Sequence, residues 1–217
     1  MRKEIVFKLL AIIELLFIIL SIVLDIFLPT IIILAIGLLF ILIHKEKFSG
    51  IGLNKNSKVL RFVPKVFGLT VVWTIFDYGV VLPILNHLTG TTQDLSTFEK
   101  LKGDPVQLLF LLAASWTLAA ICEEFAYRGI IQNRISSLFS NNKTGIVVAV
   151  IASSALFGFA HTEQGVIGVV VTAIDAIFFS SLKYKYKSIW ASVLAHGFMN
   201  SIGIITFYFT GPIYGLW

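Results

Sequence analysis

The sequence ICEEFAYRGI, residues 121–130, places two carboxylates and a guanidinium inside an apolar run that begins at Pro105. Arg128 follows Glu124 by four residues, so their side chains share one helix face, in the favourable order for an ion pair. Ionisable groups are retained within a membrane helix when they have a partner and usually a function. The stretch therefore predicts a membrane helix that carries a buried polar site.

Two later segments repeat the four-residue spacing between polar or aromatic side chains. His161 follows Phe157 by four residues, and Asn200 follows His196 by four. Each pair shares one face of its helix. Carboxylates, imidazoles and an amide on three inward faces are typical of a catalytic site inside a membrane.

The composition is typical of a membrane protein. The 217 residues are 57% hydrophobic and only 13% charged, and the mean hydropathy is +0.91, whereas soluble domains contain about 25% charged residues. The net charge of +5 reflects basic clusters that we interpret as cytoplasmic loops rather than as a nucleic-acid-binding surface. The single cysteine, Cys122, excludes an intramolecular disulfide. The basic clusters lie at 2–8, 45–65, 128–143 and 183–187.

The apolar runs predict an all-α fold, a polytopic membrane helix bundle of about seven transmembrane helices with an intramembrane active site. We divide the chain into residues 1–65, a transmembrane hairpin with a basic cytoplasmic loop, and residues 66–217, the main bundle. The first run is longer than the apolar region of a signal peptide, so we expect it to be retained. The predicted spans are 5–28, 29–43, 66–85, 105–139, 144–161, 166–182 and 189–209.

The loop charges also predict the location of the protein. Basic loops place the N-terminus in the cytoplasm. The high content of lysine and isoleucine suggests a bacterial protein, and therefore the plasma membrane of a bacterium. We therefore expect a multi-pass integral protein of that membrane.

Helix geometry predicts the depth of the motifs. Glu123 and His161 lie at similar distances, roughly 27–30 Å, on the two sides of the turn near residue 141. His196 should lie ~15 Å from the basic 183–187 segment, about 10 Å nearer the cytoplasm than His161 if the helices are straight. Helix tilt or a partly re-entrant fifth helix would close this gap, and the site would open toward the cytoplasm.

Pairing between Glu124 and Arg128 leaves Glu123 as the unpaired carboxylate. A carboxylate of this kind is a candidate general base, and His161 can share a water molecule with it.

His196 and Asn200 present hydrogen-bond donors on one helix face, which suits an oxyanion hole. Asp175, in the sixth apolar run, is a further acid that either hydrogen-bonds a catalytic histidine or lines a cavity.

The motifs Glu-Glu-x-x-x-Arg, Phe-x-x-x-His and His-x-x-x-Asn, in this order, resemble those of the CPBP intramembrane protease family. This family is also called the Abi family and includes the type II CAAX prenyl endopeptidases. The resemblance covers about residues 110–206, the protease-like core, and implies a multi-helix membrane endopeptidase. The implied roles are water activation by Glu123 and His161, oxyanion stabilisation by His196 and Asn200, support by Glu124 and Arg128, and packing near the site by Phe157.

The resemblance leaves two mechanisms open. In the glutamate mechanism no cofactor is required, whereas a zinc enzyme would use Glu123, His161 and His196 as ligands. The chain has no His-Glu-x-x-His motif and Asn200 is a poor zinc ligand, so we favour the metal-free mechanism.

We expect the substrate to be a membrane-associated, lipidated or leader-type peptide, and the partners to be this peptide or protein and the lipid bilayer, without nucleic acid. Two other functions stay open. Carboxylates and histidines in a membrane also form the proton relays of coupled transporters. A non-catalytic membrane protein, of the bacteriocin-immunity type, could keep the same fold.

Overall fold

A computed structural model describes residues 2–24, 26, 29–44, 51–53, 59–139 and 141–217. The basic loop predicted before residue 65 falls largely on residues outside these ranges, among them Lys45, Lys47, Lys55 and Lys58. The side chains of the N-terminal basic cluster up to residue 4 also lie outside the description.

The described residues contain seven apolar helices and no strand. Five of the helices are long and apolar enough to cross a membrane, and the other two are shorter. The predicted all-α bundle of membrane helices is therefore confirmed, and each predicted span corresponds to a helix. The helices are α1 (Arg2–Val23), α2 (Pro29–His44), α3 (Val59–Thr89), α4 (Pro105–Leu138), α5 (Lys143–Phe159), α6 (Gly165–Tyr186) and α7 (Ile189–Thr210).

Helix α3 begins earlier than predicted and changes its winding near its middle. It starts at Val59 rather than at residue 66, so Arg61 and Lys65 lie on the helix and not in the preceding loop. Over Asp77–Val81 it becomes a π-helix, and the N–H of Leu82 donates to the Asp77 carbonyl five residues earlier. Single π turns of this kind are often found at functional sites.

Helix α4 is continuous over 34 residues, as predicted, but it is π-helical over Ser115–Ile131. The N–H of Gln132 donates to the carbonyl of Tyr127, again five residues back. The sequence did not predict the π-helix, because apolar residues occur on all sides of α4. Its hydrophobic pattern therefore has no single apolar face from which a helical period could be determined. The π-helical part carries the Glu-Glu-x-x-x-Arg motif.

Helix α4 lies at the centre of the bundle and packs against α1, α2, α5 and α7. One buried apolar cluster joins α1, α2, α4 and α5 and includes Ile18, Ile33 and Ile131. A second cluster joins α3, α6 and α7 through Val66, Phe179 and Ala195. Phe157 of the second motif belongs to the first cluster, and His196 of the third motif directly follows Ala195 of the second cluster.

Buried polar contacts also fix α4 in the bundle. Arg134 pairs with Glu14 of α1 at 2.5 Å between Nε and Oε2, and both side chains are buried. The amide of Gln132 donates to Ser153 of α5 and to Ser180 of α6. Our interpretation of Arg134 as part of a basic cytoplasmic cluster is therefore wrong, because its charge is used inside the bundle.

Lys183 likewise lies on α6 and not in the predicted loop. Its ammonium group donates to the backbone carbonyl of Arg128 and to the Gln132 amide oxygen, the second at 3.3 Å. An ammonium group can supply three such hydrogen bonds. Lys183 thus connects the end of α6 to the turn of α4 that carries the arginine of the motif.

A glycine allows α4 and α7 to approach each other next to His196. A Cβ atom at Gly197 would lie 2.5 Å from the ring of Trp116. The indole N–H of Trp116 donates to Ser201 of α7 at 3.0 Å. The two helices that carry the first and third motifs are therefore held at a short distance.

Candidate active site

Glu124 and His196 form the centre of the candidate site. The Nδ1–H of His196 donates to Oε1 of Glu124 over 2.9 Å, and both side chains are buried. The imidazole ring stacks on Phe179 of α6, with 4.9 Å between ring centroids and 11° between planes. Carboxylate and phenyl ring together fix the orientation of the histidine.

Arg128 contacts the same carboxylate. Its Nη1 lies 3.0 Å from Oε1 of Glu124, as the i,i+4 spacing predicts. Among the described residues, none of the guanidinium nitrogens has an aligned hydrogen-bond acceptor, so the contact is an ion pair. The guanidinium also lies 4.4 Å from the ring centre of Phe157 and 5.5 Å from that of Phe179. Coulombic and cation–π attraction therefore hold Arg128 in place.

Glu123 is more accessible than its neighbour. Its side chain is 20% exposed, and Oε2 lies 4.0 Å from Nε2 of His196. This oxygen has no hydrogen-bond partner among the described residues. Glu123 is thus a carboxylate beside the histidine that retains a free oxygen for a water molecule.

His161 lies in the turn that follows α5. Its Nδ1–H donates to the backbone carbonyl of Phe157 over 2.7 Å. In the neutral ring Nε2 then carries the lone pair, which can accept a proton or a hydrogen bond. The Phe157 ring lies 4.6 Å from His161 and 6.0 Å from His196, centre to centre. Both histidines of the motifs therefore contact one phenyl ring.

A cavity of about 390 Å³ brings the predicted residues together. Glu124 and Arg128 do not line the cavity themselves. Glu124 contacts His196, and Arg128 contacts the rings of Phe157 and Phe179, and these three residues line it. The predicted residues that line the cavity are Glu123, Phe157, His161, His196 and Asn200.

The cavity does not extend toward the basic end of the bundle. It is lined by Gln93, Leu95 and Phe98 of the segment between α3 and α4, and by Gln164 of the turn after α5. The side-chain amide of Gln93 donates to the side chain of Gln164 at 2.8 Å. These segments lie at the helix ends opposite the 183–187 segment. The cavity therefore lies toward the helix ends opposite the basic segment, and the expectation that the site opens toward the cytoplasm stays a prediction.

Two further acids line the cavity. Asp175 accepts a hydrogen bond from the Trp73 indole at 2.7 Å, so it lines the cavity and does not orient a histidine. Asp77, on the π turn of α3, was missed in the sequence. An acid in the middle of an apolar run was the signal that could have identified it.

The residues proposed as zinc ligands do not form a metal-binding group. Within the described residues, no three His, Cys, Asp or Glu side chains converge so that they could hold a metal ion. His196 uses one ring nitrogen for Glu124, and Glu123 lies 4.0 Å from the other. Zinc bound directly by these groups requires distances of about 2.0–2.2 Å from each ligand to the metal.

Comparison with known proteins identifies one family. Residues 105–202 match the family described as Rce1-like, type II CAAX prenyl endopeptidase Rce1-like. The match covers somewhat under half of the chain and includes all three motifs, which confirms the resemblance drawn from them. No curated protein and no solved structure matches the chain significantly.

Proposed function

We propose that this chain, whose residues 105–202 are similar to the type II CAAX prenyl endopeptidases, is an intramembrane endopeptidase. It hydrolyses a peptide bond in a membrane-associated, lipidated or leader-type peptide. One observation carries the proposal. A single cavity is lined by Glu123, His161, His196 and Asn200, and Glu124 fixes His196 by accepting the hydrogen bond from its Nδ1–H.

In the proposed reaction Glu123 and His161 activate water. A water molecule in the cavity gives its proton to the Glu123 carboxylate or to Nε2 of His161, and its oxygen attacks the peptide carbonyl carbon. His161 suits this role because Phe157 holds its Nδ1–H. A positioned general base of this kind contributes typically 10²–10⁴-fold to the rate.

The negative charge that develops on the carbonyl oxygen is stabilised by His196 and Asn200. The Nδ1–H of His196 is engaged by Glu124, so the ring serves the oxyanion when Nε2 also carries a proton. The amide of Asn200, one turn further along α7, supplies a second donor. Collapse of the tetrahedral intermediate breaks the C–N bond, and the proton taken from water passes to the leaving amine. One donor to an oxyanion contributes about 10²–10³-fold.

The proposal includes a metal-free mechanism and an orientation. The hydrogen bond that engages His196 and the free oxygen of Glu123 suit acid–base chemistry. With the N-terminus in the cytoplasm, as the positive-inside rule predicts, the cavity lies in the outer half of the membrane.

The test uses purified protein in lipid nanodiscs and a library of fluorogenic peptides. Wild type and Glu123→Gln are compared, each with and without EDTA or another zinc chelator. The proposal expects cleavage by wild type that is unaffected by chelator and is lost in the variant. Cleavage that is lost with chelator and restored by zinc would refute the metal-free mechanism. Equal cleavage by wild type and the variant would refute the role of Glu123.

A proton relay is the second candidate, because Asp77 and Asp175 line the same cavity as the histidines. Membrane carboxylates and histidines form such relays. Proton flux into proteoliposomes that disappears in Glu124→Gln, without cleavage of any peptide, would favour a transporter.

A further inference from the structure

Asp77 is a buried carboxylate without a cationic partner in the described structure. Its residue is 1% exposed, and its Oδ1 has no hydrogen-bond partner among the described residues. It nevertheless lines the cavity that holds the candidate catalytic residues. A buried charge without a partner is costly in free energy. A ligand that supplies a positive charge at this position would remove that cost.

Asp175 adds a second carboxylate to the same wall. It is 7% exposed, and the hydrogen bond from Trp73 occupies only its Oδ1. The two carboxylates interact electrostatically with each other. Their mutual repulsion disfavours a site that holds both charges without a cation.

The cavity contains acids but no permanent cation of its own. Glu123, Asp77 and Asp175 line it, and none of the described residues that line it is a lysine or an arginine. Arg128, whose buried guanidinium also attracts Asp175 electrostatically, is paired with Glu124. The cavity is therefore complementary in charge to a basic group.

The remaining walls suit the stem of a basic side chain. Aromatic rings from five segments of the chain line the cavity. The methylene groups of lysine or arginine pack on apolar surfaces while the charged end reaches a polar partner, and aromatic faces attract the cation itself. The aromatic residues are Tyr78, Phe98, Phe157, Phe179 and Phe207.

We infer that the cavity binds a lysine or arginine side chain of the peptide substrate, and that Asp77, with Asp175 beside it, receives the positive charge. The inference rests on the proposed function and names the class of substrate. Asp77 would thus be a specificity residue that contacts the substrate away from the scissile bond. The π turn that begins at Asp77 belongs to α3, which packs against the motif helix α7.

The test measures binding separately from cleavage. The Glu123→Gln protein in nanodiscs is titrated with two fluorescent peptides that differ only by lysine or norleucine, the uncharged side chain of similar length. Hydrogen bonds to charged groups predict a preference of roughly 10- to 100-fold for the lysine peptide. Adding Asp77→Asn should abolish the preference, and adding Asp175→Asn should reduce it. Glu99→Gln, which removes an exposed carboxylate from the segment before α4, is the matched control and should preserve it.

Each outcome decides one of the two proposals. Equal binding of the two peptides, a preference that survives Asp77→Asn, or no binding of either peptide would overturn the inference. The comparison of the two peptides on the Glu123→Gln protein does not require that the added variants Asp77→Asn or Asp175→Asn fold. Selective binding of the lysine peptide by Glu123→Gln, together with no cleavage of any peptide by the wild-type protein, would refute the peptidase proposal and leave the inference in place. Where cleavage is present, Asp77→Asn should raise KM for the lysine peptide more than it lowers kcat.

Discussion

Glu124→Gln preserves the size of a buried side chain and removes the charge that Arg128 and His196 share. The glutamine oxygen can still accept the Nδ1–H of His196, which lies 2.9 Å from the carboxylate in the native protein. The guanidinium, 3.0 Å away and 1% exposed, loses its counterion and stays buried. The principal effect is therefore an uncompensated positive charge inside the bundle.

The size of this effect follows from the burial of the pair. Removing one partner of a buried ion pair costs about 3–5 kcal/mol. Because the cation–π contacts with Phe157 and Phe179 remain, we expect the lower end, about 3 kcal/mol. For a chain of this length that corresponds to a fall in Tm of roughly 6–12 °C. Glu123→Gln is the matched control, because the Glu123 side chain is 20% exposed and its Oε2 lies 4.0 Å from Nε2 of His196; the substitution should cost under about 1 kcal/mol.

Thermal unfolding in one detergent, with peptide cleavage measured in parallel, tests this reasoning. Both variants should lose cleavage, but only Glu124→Gln should lose stability. Adding Arg128→Met to Glu124→Gln should restore part of the Tm, since it removes the uncompensated charge. A Glu124→Gln protein as stable as wild type, or an equal loss in Glu123→Gln, would refute the assignment of Glu124 as the buried counterion.

Three further predictions concern the bundle and the turn after α5. Gly197→Ala should destabilise the protein by about 1–3 kcal/mol, because the new methyl group would lie 2.5 Å from the Trp116 ring; a Tm equal to wild type would contradict this packing. Arg134→Met should cost about 3 kcal/mol by leaving Glu14 charged and buried, and the double variant with Glu14→Gln should recover stability; no recovery in thermal unfolding would argue against the pair. His161→Ala should abolish cleavage with little change in Tm, because the ring is half-buried and donates a hydrogen bond to the Phe157 carbonyl of the preceding helix; retained cleavage would remove His161 from the mechanism.

The helices were predictable because long apolar runs in a membrane leave the backbone few alternatives to helical hydrogen bonding. The motif spacing also predicted the Glu124–Arg128 pair, since residues four apart on a helix are neighbours whatever surrounds them. Local spacing could not show which distant groups meet. The contact between Glu14 and Arg134 joins positions 120 residues apart, and the sequence alone suggested only that Arg134 belongs to a cytoplasmic loop.

The position of the cavity along the helices was not predictable from helix lengths. Counting residues from the turns places His161 and His196 at different depths, but it does not show which side chains leave a space between them. That space depends on the packing of α3, whose predicted start was seven residues too late, and on the π turn that turns Asp77 toward the site. Neither the start of α3 nor its π turn can be recognised from the hydrophobic periodicity of the sequence.

The shortness of α5 has a consequence for the lipids around the protein. Its 17 residues extend about 25 Å, whereas the hydrocarbon core of a bilayer is about 30 Å thick. The polar turn that holds His161 therefore lies below the level of the headgroups unless the bilayer thins around it. In a bilayer of short acyl chains this thinning costs little free energy, and the water of the headgroup region reaches the turn. In a bilayer of long acyl chains the same thinning costs more. The supply of water to the candidate site is thus coupled to the acyl-chain length of the surrounding membrane.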